Sequence, residues 1–445
     1  MKLQLLFKLT AIAAALAASL HLAACGGAKL DDEQAALLHA AEQAGATALK
    51  AEHTEDGGML LSGKLQGRAF TLAFPWRWNR QAVLLAPGYS PPGTPLKLPD
   101  NILRDDSLGL ARTPYAERYA VGRSAYDKAG IGVQSAVDNT YRLQQFLNML
   151  GTSRVYVIGG SMGGNITMAL IEKHPDAFAG AIAACGVVGE WQAEIGYVID
   201  IRAAYNYFTR GTAYELPGEK SIARSELPTL TWGPLEWLWP LPSLIQFKRI
   251  VAPIRELFEA AAANPQSPER RIIDNIAAAS GAETDQASFI APIMTVGLGM
   301  DDILGSFGGS PYDNSTRVYS SPHLSAAENA ALNAGIQRIH ADPAALAYAD
   351  QWYKSTGVFR TRLLTLYNLI DPEVPSGLQE PMLREAVSNA GNGDNLVQRA
   401  VPAMRRPLLS GINTIGYAHC GFTPEQVTQA WDDLHTWVET GKKPQ

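Results

Sequence analysis

The chain has 445 residues, 47% hydrophobic and 18% charged, which is enough apolar material for a large packed core and excludes a disordered or fibrous polymer. Its formal net charge is -6 and no basic block occurs, which argues against a nucleic-acid partner. The length admits two or three domains, or one large domain carrying an insertion.

The first stretch, MKLQLLFKLT, carries Lys2 and Lys8 and leads into the apolar run AIAAALAASL. That run is a signal-peptide core, too short for a comfortable membrane span. It ends in Leu22-Ala23-Ala24-Cys25, which resembles the bacterial lipobox. The resemblance implies cleavage before Cys25, acylation of its thiol and amine, and a lipid-anchored protein of the bacterial cell envelope at the outer membrane, the periplasm or the surface. Residues 1–24 are therefore expected to be a signal peptide, and residues 25–57 a lipidated tether. Within that tether, Asp31, Asp32 and Glu33 precede a helical spacing at Leu37, Leu38, Ala41 and Ala44.

From Gly58 the text changes. MLLSGKL and RAFTLAF alternate around Gln66-Gly67, a hairpin signal. QAVLLAPGY and RYAVGRSAY read as buried strands, and SAVDNTYRLQQFLNML as a helix that stops at Gly151. VYVIGG is a third buried strand, SMGGNITMALIEKH a helix ending before Pro175, and AGAIAAC a fourth strand. Strands alternating with helices predict a mostly parallel sheet with helices on both faces. The pattern resumes with RLLTLYNLI (Arg362–Ile370) as a strand, DNLVQRAV as the last strand, and PEQVTQAWDDLHTWVET as a C-terminal amphipathic helix.

Between these halves the text differs. Residues 187–359 contain WGPLEWLWPLP and helical runs such as RRIIDNIAAAS and SAAENAALNAGIQRIH, with no strand series and no internal repeat. This predicts a helical cap inserted into a core of residues 58–186 and 360–445. Trp191, Trp232, Trp237 and Trp239 lie in that cap, either as lining for an apolar pocket or as the cap's own core.

The chemistry is concentrated at VYVIGGSMGGN, residues 155–165. A G-x-S-x-G match alone has little weight in a chain with 40 glycines. Here a strand precedes Ser161 and a helix follows it, which is what a nucleophile elbow needs. Gly159 and Gly163 remove the Cβ atoms that a sharp turn cannot hold. Of the eight histidines, only His419, in IGYAHCGFTPE, lies in a loop between a late strand and the last helix. Asp371 follows the strand RLLTLYNLI and is the carboxylate expected to orient that imidazole, with Glu373 and Asp394 in reserve. The order Ser161, Asp371, His419 is that of the α/β-hydrolases. The oxyanion donors are expected to be the backbone N–H groups of Met162 and of Tyr89 in LLAPGYS. No His/Cys/Asp cluster has metal-ligand spacing, so neither a metal nor an organic cofactor is called for. If Cys25 takes lipid, Cys185 and Cys420 remain, either as a bonded pair or as two buried thiols.

On these residues the sequence resembles secreted bacterial serine hydrolases of the α/β-hydrolase superfamily, esterases and prolyl-oligopeptidase-like enzymes among them. PWRWNRQAVLLAPGY, RYAVGRSAYDKAGIGVQSAVDNT, GGSMGG, HPDAFAGAIAACG, LYNLIDPEVP and AHCGFT carry the match, over roughly residues 58–190 and 360–440. Two departures stand out: Ala86-Pro87-Gly88 replaces the usual His-Gly, and Arg80 replaces a glycine. The His-Cys pair also resembles the feruloyl esterase and tannase group, in which a cysteine beside the histidine is disulfide-bonded to one directly before the serine. Gly160 holds that place here, and the resemblance is carried over as a Cys185–Cys420 bond. Together these readings imply hydrolysis of carboxylic esters, small-molecule or lipid-like, through an acyl-enzyme on Ser161. A serine peptidase of prolyl-oligopeptidase-like type, or a non-catalytic surface binding lipoprotein, is the alternative.

Overall fold

The computed structural model describes residues 31–94, 98–104, 109–226, 241–409 and 412–445. The signal sequence, Cys25, Trp232, Trp237 and Trp239 lie outside the described residues.

Nine strands form one sheet. They are β1 (Thr47–His53), β2 (Met59–Leu65), β3 (Arg68–Phe74), β4 (Gln81–Ala86), β5 (Ala120–Ser124), β6 (Arg154–Gly160), β7 (Gly180–Ala184), β8 (Arg362–Asn368) and β9 (Leu396–Val401). Their spatial order is β1-β2-β3-β5-β4-β6-β7-β8-β9. The run from β5 through β4 to β9 is parallel, and the first three strands are added antiparallel. The β2–β3 turn falls at Gln66-Gly67, both at positive φ, as the hairpin signal implies.

The strands bury both faces, and their residues alternate between two cores. Val155 and Val157 of β6 belong to one apolar cluster, whereas Tyr156 and Ile158 belong to the other. The first face is covered by α3 (Val133–Met149) and α4 (Met162–Lys173); the second by α2 (Arg112–Ala116) and α12 (Pro424–Thr440). α12 packs Trp431 edge-on against Tyr119 and Tyr156, with ring centroids 5.0 and 5.3 Å apart.

The stretch expected as a tether is in part built into this sheet. It forms α1 (Asp32–Gln43), capped by Asp31 and Gln34, and then β1, which pairs with β2. The β1 strand TALKAEH lies on the sheet edge with no buried residue, so it lacks the apolar run that marks the inner strands. Arg80, at the place where a glycine was expected, adopts the glycine-like φ of 62°.

Among its described residues, the long regular elements of the insertion are helices, joined by extended loops at 209–226 and 308–325. α5 (Trp191–Phe208), α6 (Leu241–Ala263), α7 (Pro268–Ser280), α8 (Ala287–Phe307), α9 (Ala326–Gly335) and α10 (Pro343–Trp352) lie between β7 and β8. A lone antiparallel bridge, Glu190 to Lys354, closes its base. Helix α9 stops at Gly335 rather than running to His340, and β8 stops at Asn368 rather than Ile370. After β8 come α11 (Ser376–Asn389), then β9, and then an unforeseen hairpin. Its strands β10 (Arg405–Leu409) and β11 (Ile412–Tyr417) form a separate two-stranded sheet, which delivers the chain to His419.

Candidate active site

Ser161 sits between β6 and α4 at φ 58° and ψ −126°, a conformation that L-residues rarely adopt. The turn is held by its neighbours. A Cβ on Gly159 would lie 2.1 Å from the Gly163 carbonyl oxygen, and one on Gly163 would lie 1.9 Å from the Ala86 carbonyl oxygen. Only glycine fits at either place. Ser161 N–H donates to Ala184 O at 3.0 Å, which ties the turn to the end of β7. The first N–H groups of α4 have no intrahelical acceptor, and that of Met162 stands directly after the serine.

The loop after β4 closes on this turn from the other side. A Cβ on Gly88 would lie 3.2 Å from both Gly160 O and Ser161 Cβ. Tyr89 and Met162 both line the cavity that contains Ser161 and His419.

Asp371 lies in the turn that follows β8, 5% exposed. Its Oδ1 accepts from the backbone N–H groups of Glu373 and Val374, both at 3.0 Å, and its Oδ2 accepts from Cys420 N–H at 3.1 Å. His419 Nδ1 stands 2.9 and 3.0 Å from the two carboxylate oxygens. The histidine loop is fastened as well. Asn368, fully buried at the end of β8, accepts from Gly421 N–H at 2.9 Å and donates to Gly421 O at 2.8 Å. One strand end thus carries the carboxylate and also anchors the loop that bears the imidazole.

A disulfide joins Cys185, just past β7, to Cys420, beside the histidine, with Cα atoms 5.3 Å apart. Closing a loop of 235 residues should stabilise the fold by about 5 kcal/mol in the chain-entropy account. Reduction is therefore expected to lower the midpoint of urea unfolding. Two free thiols in oxidised, purified protein would contradict this.

The electrostatics around His419 are dominated by acid. Burial alone lowers the pKa of the imidazole, but the charges of Asp371 and Glu373, the Asp371 hydrogen bond and Glu194 outweigh it and push it up to about 9. Glu373, a reserve for the orienting acid, instead stands 3.8 Å from the other ring nitrogen, Nε2. Asp394, the second reserve, lies in a turn before the first residue of β9, away from the strand ends that carry the site. Among the described residues no hydrogen bond joins Ser161 Oγ to the ring; Nε2 lies 3.5 Å from Cys420 Sγ. Such bonds are often long before substrate binds.

The shared cavity holds about 360 Å³ and is mostly apolar, roofed by α8 through Ile290, Met294 and Leu298. Trp191 lines it, while also packing against Tyr353 and Phe307, so it serves both the pocket and the cap's core. A more polar cavity of about 640 Å³ lies across α5; it reaches Asp371 but neither Ser161 nor His419, which both line the smaller one. Two features of the site had no sequence signal. Glu194 of α5 reaches the cavity wall, and Asp285 ties the cap to the hairpin by accepting from Tyr417 N–H at 3.1 Å and pairing with Arg405 at 2.9 Å. Folding also gathers Glu117, Asp432 and His435 within 4.8 Å of one another beside α12, a grouping that no spacing in the chain announces.

A profile of the alpha/beta hydrolase fold matches residues 87–232, the segment that carries Ser161. The chain has the alpha/beta hydrolase fold. No curated protein matches the sequence. Among solved structures, it is similar to feruloyl esterase B from Aspergillus oryzae, at 12% identity and a TM-score of 0.44, over 87% of this chain and 81% of that one. It is also similar to the rice cell wall degrading esterase of Xanthomonas oryzae, at 14% identity and a TM-score of 0.41, over 88% and 98% of the two chains. A thermophilic esterase from Thermogutta terrifontis gives 15% identity and a TM-score of 0.37, over 88% and 100%.

Proposed function

We propose that the protein is a serine hydrolase that cleaves carboxylic esters through an acyl-enzyme on Ser161. One observation carries the reading. A serine held at φ 58° on a helix N-terminus shares a cavity wall with an imidazole whose far nitrogen is held by a buried carboxylate.

In the reaction, Nε2 of His419 takes the Ser161 Oγ proton as Oγ bonds to the ester carbonyl carbon. The carbonyl π electrons move to oxygen, which is met by the N–H groups of Met162 and Tyr89. When the tetrahedral adduct collapses, the bond to the alcohol oxygen breaks and the imidazolium returns its proton to that alcohol. Water then repeats the cycle on the acyl-enzyme and releases the acid. Asp371 holds the ring in the tautomer with the proton on Nδ1. The mostly apolar lining of the cavity favours an acyl or aryl ester over a peptide.

A series of aryl esters of increasing acyl length, run beside Xaa-Pro amides, tests the class. Turnover of the esters alone is expected; turnover of the amides alone would reject the reading in favour of a peptidase. The pH dependence follows from the acid around His419. The ring acts as a base only when neutral, so kcat/KM should rise with pH, reach half its maximum near pH 9 and level off above that. Removing one of the raising charges by Glu373→Gln should move that limb to lower pH. An unmoved limb in the variant would contradict the assignment.

The lipobox-like Leu22-Ala23-Ala24-Cys25 supports a further proposal, that the protein is held in the cell envelope through lipid on Cys25. A bonded Cys185–Cys420 pair fits that oxidising address. Metabolic labelling with a tagged fatty acid, lost in Cys25→Ser, is the expected result; label retained by the variant would contradict the anchor.

A further inference from the structure

Helix α5 turns one face to the cavity of Ser161, through Trp191, Glu194, Ile195 and Val198. Three of these are apolar. The fourth is a carboxyl, 6% exposed, on the wall of a mostly apolar space. It is held in place. Gln379, fully buried in the first turn of α11, donates from Nε2 to Glu194 at 3.2 Å. The Gln379 Oε1 accepts from Gly189 and Glu190 N–H at 2.8 and 3.2 Å, which fixes the start of α5. Among the described residues no lysine or arginine pairs with Glu194. A buried carboxyl is costly to desolvate, and an apolar side chain would fill the space at less cost. Its presence calls for a ligand that completes it.

Its neighbours say which part of the ligand. The charges that bear on Glu194 are those of Asp371, His419 and Glu373, all on the imidazole side of the site. In the reaction proposed above, that side hands a proton to the departing alcohol. Burial, reinforced by Asp371 and Glu373, pushes the Glu194 carboxyl up to about 8, so it is largely protonated at neutral pH. A hydroxyl both donates and accepts, and therefore pairs with this group whether or not it is ionised.

We propose that the substrate is a partial ester of a polyol, an ester whose alcohol portion carries a second hydroxyl, and that Glu194 is the specificity residue that receives it. The proposal rests on the ester-hydrolase reading. The test uses two esters of one acid with equal chain length in the alcohol, 2-hydroxyethyl hexanoate and propyl hexanoate. In the intact enzyme at neutral pH, kcat/KM should favour the hydroxylated ester by about 2–10-fold beyond the ratio for alkaline hydrolysis. Glu194→Leu should bring the ratio back to the alkaline value, while fluorophosphonate labelling, which reports the fold and the nucleophile, persists. Calorimetry with Ser161→Ala, which binds without turnover, should show the same preference in Kd and loses it with Glu194→Leu added. Equal rates for the two esters, a preference that survives Glu194→Leu, or a preference only for a hydroxyl on the acid portion would each overturn the proposal and leave the hydrolase standing. Absence of both turnover and labelling would overturn both.

Discussion

Ser161→Ala is expected to lower kcat by about 10³–10⁶-fold, on the scale of the subtilisin series, without unfolding the protein. The loss should be large because, in the proposed mechanism, the step that makes the acyl-enzyme has no other nucleophile. It should stop short of the uncatalysed rate because the proposed oxyanion donors, such as the N–H of Met162, remain in the variant. The fold should survive, since the strain lies in the backbone at φ 58° and alanine carries the same Cβ as serine. Burst kinetics with an aryl ester, together with a thermal melt, check both halves. Unchanged turnover in the variant would reject Ser161 as nucleophile.

Asp371→Asn is expected to cost about 10⁴-fold in kcat. The carboxylate now faces Nδ1 with both oxygens and also accepts three backbone N–H bonds. An amide offers one acceptor oxygen, and its NH₂ turned toward Nδ1 would stabilise the wrong tautomer. The variant also removes one of the charges that raise the imidazole, so the acid limb of kcat/KM should shift to lower pH while the plateau falls. The companion Glu373→Gln should keep most of its plateau, because Glu373 is half-exposed and faces Nε2 rather than Nδ1. A larger loss in Glu373→Gln than in Asp371→Asn would exchange their roles.

The central strands were legible because each is a short apolar run with turn residues at its ends, and the elbow was legible because its glycines have a steric cause. Asp371 and His419 could be named because in a parallel sheet the loops after the strand ends meet at one edge. Other parts left no local mark. Strand β1 is an exposed edge with no apolar run. The β10–β11 hairpin lies off the main sheet, and its strand RRPLL carries Arg405, Arg406 and Pro407, which dilute the alternation. Glu194 lies within an otherwise ordinary helical stretch, and only the packing of α5 over the strand ends turns it toward Ser161 and His419. Glu373 and Asp371 are two residues apart in one turn, so composition could not assign them to different nitrogens of the ring.

The most direct measurement is reaction of the oxidised protein with a fluorophosphonate, followed by mass spectrometry of the labelled peptide. The covalent adduct should fall on Ser161 alone, form with a rate that follows the neutral fraction of the imidazole, and vanish in Ser161→Ala and His419→Ala. A wild-type protein that stays unlabelled, or a label carried by another residue, would contradict a nucleophile activated across this cavity.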